Sequence, residues 1–226
     1  MVIINNKNVY TYLGGRVMFH WDLIQFVASV PGLLLAITIH EYAHALMAVK
    51  MGDMTPKFAG RLTLNPFAHL SVTGTIFLLL LQFGWAKGVP VDGRNFKNYY
   101  KGEILVSLAG PFANFLFAFI ALAIDIFLMS RVSFSMPALE MVLQLIVLYN
   151  INFGFFNLLP IPPLDGSHIL WCILPGQYRR KYFFILEKYA LLIFLVILAT
   201  PILGYILIPA QQGILHFYMF LLTPLL

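Results

Sequence analysis

Charge is what this sequence has least of. Of its 226 residues 14 are Lys or Arg and 9 are Asp or Glu, 10% in all, while 61% are hydrophobic. A soluble domain carries about 25% charged and about 45–50% apolar residues, so the deficit excludes a water-soluble globular protein. Cysteine is nearly missing too. Cys172 is the only one, which excludes an intramolecular disulfide and any cysteine-rich zinc or iron–sulfur site. Internal repeats and low-complexity linkers do not occur, so repeat-built transporters gain no support. The formal charge of +5 sits at the ends of apolar runs, where membrane orientation accounts for it, and no nucleic-acid partner is expected.

What the chain has instead is long apolar runs. Its length suits about five to six transmembrane helices with short connections, an all-α polytopic membrane protein made of one domain, 1–226. Residues 1–20 are too polar to span and are expected at the interface. A core follows over about 23–174, then C-terminal spans over about 182–226. The runs are Leu23 to Ala48, with Pro31 inside, then Ile104 to Met129, Pro137 to Leu159 and Tyr182 to Ile208, the last interrupted by Pro201. Gln211 to Leu226 is a short sixth candidate. Val72 to Ala86 is short for a crossing and flanked by glycines, so residues 50–101 are expected to form a re-entrant or hairpin-like segment. If that segment does not cross, eleven of the fourteen basic residues fall on one side, with only Lys7, Arg16 and Arg131 opposite. That bias marks a cytoplasmic face.

Inside the first run stands His40-Glu41-Tyr42-Ala43-His44. Residues 40 and 44 of one helix are separated by about 400° and about 6 Å of rise, which stacks both imidazoles on one face. They can grip one metal ion, and Glu41 can reach a water beside it, the layout of a zinc hydrolase with a carboxylate general base. A carboxylate placed in a membrane span costs about 2.5–3.5 kcal/mol on insertion scales, so the cluster demands a compensating partner. Catalytic zinc takes three protein ligands, so one more is needed. Asp165, after a proline-rich break and before Gly166, is the strongest candidate; it could instead cap a helix starting there. Asp125 competes from an apolar stretch. Glu103, Glu140 and Glu187 lie near predicted span ends and would serve only a different class of membrane metalloprotease.

Three ordered motifs, HEYAH at 40–44, AGPFANF at 109–115 and NLLPIPPLDG at 157–166, resemble the site-2 proteases, which are intramembrane zinc metalloproteases. The resemblance runs from about Pro31 to Ile173, and GRLTLNPFAH at 60–69 with FGWAKGVPV at 83–91 is similar to the compact bacterial branch. That branch usually reads AKPVPV and has an acidic residue after the histidine of the first segment; Gly88 and Ser71 stand here instead. The resemblance implies that His40, His44 and Asp165 bind one Zn2+ and that Glu41 activates the attacking water. It implies cleavage of peptide bonds in or near transmembrane segments of membrane proteins, within the lipid bilayer of a bacterial inner membrane; the basic bias above puts the site toward the cytoplasm.

Asn157 and Asn114 could contact substrate or a developing oxyanion; for Asn114, tying helices together is an equal reading. His69 could line an entrance, and His168, three residues after Asp165, could support the site from behind. Gly110 and Pro111 suit close helix approach. The alternative to an enzyme is a non-proteolytic zinc-binding membrane protein or transporter, which would not need Glu41 beside the two histidines.

Overall fold

The computed structural model describes residues 23–75, 86–131 and 136–223. The expected interfacial N-terminus and most of the 72–86 run lie outside the described residues. Helix α1 spans Leu23–Met51, and Pro31 sits within its first third. At 1.5 Å per residue its 29 residues exceed the about 30 Å of a bilayer core. It stops at Gly52, whose φ of +116° and whose missing Cβ, which would fall 2.9 Å from the Asn95 carbonyl oxygen, leave no room for another residue.

After the one-turn helix α2 (Thr55–Phe58) and a 3-10 turn at Pro66–Ala68, a second 3-10 turn at Gly93–Asn95 leads into α3 (Tyr99–Arg131). Helix α4 (Pro137–Asn157) follows, then the short α5 (Asp165–Ile173), α6 (Gly176–Ala199) and α7 (Ile202–Leu222). Among the described residues no strand forms beyond the isolated antiparallel bridge between Leu70 and Ala86.

Among the described residues four helices are long and apolar enough to cross a membrane: Phe26–Met51, Tyr99–Leu128, Pro137–Asn157 and Ile202–Leu222. Helix α6 is as long but carries Arg179, Arg180, Lys181, Glu187 and Lys188. The chain breaks at Thr200–Pro201 rather than near residue 209, so 202–208 joins 211–222 in one helix instead of closing the preceding span. Both prolines lack the donor a helix interior needs; Pro201 caps a helix start, where that donor would be unpaired anyway, and Pro209 is carried inside α7.

Helices α1, α3 and α4 pack on one another, with α5 against α3 and α7 against α4. Small residues make the approach possible. Ala36, Ala45 and Ala48 of α1 and Ala118 of α3 are wholly buried, and Gly32 lies against the Leu145 backbone of α4. The apolar core proper gathers Ala118, Leu122, Ile146, Val147, Ile151 and Tyr218. Large apolar side chains such as Phe112, Phe127, Phe184 and Phe220 point outward, as lipid contact requires.

The 50–101 region is pinned by polar contacts. Lys87 N–H donates to the His69 carbonyl (2.8 Å), and the Arg61 guanidinium spans the carbonyls of Ala68 and Lys87. Residues 70 and 86 therefore lie side by side. Asp53, fully buried, ties this region to the end of α1. It accepts from the Thr55 hydroxyl and N–H, the Asn95 amide and Asp92 N–H. Burial opposes its ionisation, yet these donors overrule it and hold the carboxyl below its usual range.

Candidate metal centre

Helix α1 stacks His40 and His44 one turn apart on the face turned toward α3, and both are buried. Each ring is oriented by its Nδ1. His44 Nδ1 lies 2.7 Å from the Val106 carbonyl oxygen, which can only accept, so the proton is on Nδ1. His40 Nδ1 lies 2.7 Å from Asn114 Oδ1. The Asn114 amide nitrogen faces the Ala36 carbonyl at 2.9 Å, which fixes the amide's direction and places the His40 proton on Nδ1 too. Both Nε2 atoms are thereby left as lone pairs, 2.9 Å apart.

Asp165 joins them from the other end of the chain. The loop after α4 turns so tightly that a Cβ on Gly166 would sit 2.1 Å from the Leu158 carbonyl oxygen, and only glycine follows the aspartate for that reason. Asp165 Oδ2 comes within 3.1 Å of His40 Nε2 and 3.3 Å of His44 Nε2. It is buried and has no hydrogen-bond donor of its own.

Three electron pairs thus converge on one point. A proton can satisfy one contact at a time; a divalent ion satisfies all three. The spacings of 2.9, 3.1 and 3.3 Å compare with the roughly 3.3 Å edge of a tetrahedron with ligand bonds of about 2.0–2.1 Å. Two imidazoles and a carboxylate are a donor set that suits zinc. His40, His44 and Asp165 are the only group of three or more His, Cys, Asp or Glu among the described residues that could hold a metal ion.

Glu41 is not part of that donor set. It is buried beside it, and its Oε2 accepts from Val89 N–H at 2.9 Å, in the segment that returns from the Leu70–Ala86 bridge. Gly110 of α3 forms the floor. A Cβ there would fall 2.5 Å from His44 Nε2 and 2.6 Å from His40 Cε1. Gly110→Ala is therefore expected to displace both rings and weaken zinc binding by at least about tenfold, as loss of an outer-sphere partner does. Competition with a chromophoric chelator measures this, and an unchanged affinity in a folded variant would refute the assignment.

The remaining candidates are placed as follows. Asn114 is wholly buried, and both its amide hydrogens and its carbonyl are engaged by Ala36, Asn150 and His40, which leaves it no hydrogen for a substrate. Asn157 ends α4 and donates to the Phe153 carbonyl (2.9 Å). His69 is fully buried in its own loop, with Nε2 on the Thr63 carbonyl and the 61–70 turn closed around it. His168 stands on the helix that begins with Asp165, is half exposed, and pairs with Glu103 of α3 at 3.6 Å; the contact with that carboxylate raises its pKa. Asp125 is buried in α3 and Glu140 meets Gln144, and neither joins the histidines. Val89, Val106 and Asn150 belong to the site although none lies in the three sequence motifs. Two act through backbone atoms, which carry no residue signature, and an asparagine in an apolar run is the one sign that pointed to the third.

Known proteins similar to this chain carry zinc metalloprotease names. Residues 126–201 match Peptidase family M50. "Putative zinc metalloprotease YwhC" of Bacillus subtilis is 38% identical over 86% of this chain and 92% of that protein. "Putative zinc metalloprotease Rip2" of Mycolicibacterium smegmatis is 30% identical over 79% of this chain and 69% of its own length. "Zinc metalloprotease MJ0392" of Methanocaldococcus jannaschii is 27% identical over 65% of this chain and 34% of that protein. No solved structure matches the chain significantly.

Proposed function

Since the chain belongs to peptidase family M50, the site-2 protease family, we propose that this multi-pass membrane zinc metalloprotease cuts transmembrane or membrane-proximal segments of other membrane proteins. The observation that carries the proposal is the convergence of His40, His44 and Asp165 within the helical bundle, with Glu41 alongside. In this reading residues 1–226 are one intramembrane protease domain that holds one Zn2+ per chain through those three side chains.

Zinc bound there would act as a Lewis acid on the scissile carbonyl and make a neighbouring water more acidic. The chain's own residues do the rest. His40 and His44 present lone pairs because their Nδ1 protons are committed to Asn114 and Val106. Glu41, one residue from His40 and outside the donor set, takes a proton from the attacking water and delivers it to the leaving amine. In this reading Asn157, next to the Asp165 loop, uses the amide hydrogen not given to the Phe153 carbonyl as a donor to substrate backbone.

A substrate helix must first expose its carbonyls, which are otherwise tied up in helical hydrogen bonds, so helix-breaking residues near the scissile bond favour cutting. The 50–101 segment reaches Glu41 through Val89 and suits the role of gate or unwinding surface. The basic residues Lys50, Lys57, Arg61, Lys87, Lys97 and Lys101 on that segment, with Arg179 to Lys181, support a cytoplasmic orientation for this end of the bundle in the cell membrane.

Purified protein in liposomes should cut a single-span test substrate and lose that activity on zinc chelation, with recovery on adding zinc back. Persistent cleavage after quantitative removal of metal would refute the proposal, and zinc binding without cleavage of any test helix would favour a binding-only protein.

A further inference from the structure

We infer that Asn150 of α4 is a positioning residue for the metal centre, acting two hydrogen bonds away from His40 by fixing which tautomer that ring adopts. The inference rests on the metal-site reading above and concerns a residue that touches neither metal nor substrate.

The chain of contacts has a direction. Asn150 Nδ2 donates to the Ile146 carbonyl at 2.8 Å, which only accepts, so Asn150 must turn Oδ1 the other way. That oxygen accepts from Asn114 Nδ2 at 2.9 Å. The second hydrogen of the same amino group goes to the Ala36 carbonyl at 2.9 Å, and Asn114 Oδ1 is left facing His40 Nδ1 at 2.7 Å. Every donor in the run meets an acceptor only in this arrangement. Reversing Asn114 would set its amino group against the ring and its oxygen against two other oxygens.

The reversed state matters chemically. An amino group facing Nδ1 calls for a lone pair there, which moves the ring proton to Nε2, the atom that faces His44 and Asp165. The ring would then point an N–H at the position that must receive a cation. Ala36 alone can satisfy only one of the two amino hydrogens, so Asn150 supplies the second constraint. Asn114 and Asn150 are both wholly inaccessible, and an unpaired amide there has no water to turn to. His44 needs no such device because a backbone carbonyl, Val106, sets its tautomer directly.

A merely structural role, tying α3 to α4, makes a different prediction. The test measures zinc affinity of the full-length protein in micelles by chelator competition for wild type, Asn150→Leu, Asn150→Asp, Asn114→Leu and the double Leu variant. The 15N signals of the labelled histidines, recorded on the metal-free protein, report the tautomer. Asn150→Leu is expected to weaken zinc by about tenfold or more and to move the His40 ring-nitrogen signals. Asn150→Asp keeps an acceptor toward Asn114 and, protonated at this depth, a donor toward Ile146, and should stay within about threefold.

The double variant should bind no more weakly than Asn114→Leu alone, since both remove the same relay. Zinc affinity near wild type in folded Asn150→Leu, or losses that multiply in the double variant, would overturn the inference. If Asn150→Leu does not fold, Asn150→Asp decides: a tenfold loss there counts against the relay and retention supports it. A wild type that binds no zinc would instead overturn the metal-site reading itself.

Discussion

Glu41→Gln is expected to lower the rate of peptide cleavage by about 10²–10⁴-fold, the range a positioned general base supplies, while zinc affinity stays within about threefold of wild type. Glutamine has the same shape, and its carbonyl oxygen can keep the hydrogen bond from Val89 N–H. What it cannot do is accept a proton from water or return one to a leaving amine. The separation of the two readouts follows from position. Residue 41 lies about 100° around α1 from His40, beside the converging donors rather than among them. Rates of product formation from a single-span substrate, with zinc measured on the same preparations, check it. Activity within tenfold of wild type would remove Glu41 from the mechanism, and loss of zinc together with activity would make it a ligand.

The parts of this site legible in the sequence are those whose chemistry is rare in the surrounding medium. In a chain with 9 acidic residues, a carboxylate between two histidines at helical spacing is conspicuous, and Asp165 stood out because prolines precede it and glycine follows. The helical architecture was legible for the same reason: apolar runs long enough to span have only one way to satisfy their backbone in lipid.

Legibility ended where two prolines competed. Pro201 and Pro209 look alike in sequence, yet the first stands at a helix start and the second is carried inside α7, which packs against α4. It ended again at atoms that every residue has. The Val106 carbonyl, the Val89 N–H and the bare Cα of Gly110 shape the centre, and none has a side-chain signature. Asn114 marks the boundary: its type announced a polar role in an apolar helix, and only the three-helix arrangement shows that its carbonyl serves a histidine.

Asp165→Asn and Asp165→Ala should each weaken zinc binding by more than about 100-fold, beyond the 10–100-fold expected for an outer partner, and abolish cleavage with it. The comparison of the two separates a ligand from a helix cap. Asp and Asn serve almost equally as caps, so a capping role would leave Asp165→Asn close to wild type. The structure gives no such role: Leu164 occupies the cap position of α5, no side chain caps that helix, and Asp165 Oδ2 meets only the two imidazole Nε2 atoms. Asparagine would keep the shape of the loop over Gly166 and the packing on α3, but it would replace a negative oxygen by a neutral amide in a site that gathers no other anionic donor. Removing the charge alone should therefore cost nearly as much zinc affinity as removing the side chain, while thermal unfolding of the metal-free variants should move by only a few degrees. Zinc affinity retained in Asp165→Asn and lost in Asp165→Ala would mean that shape, not charge, holds the ion, and would reopen the choice of third ligand.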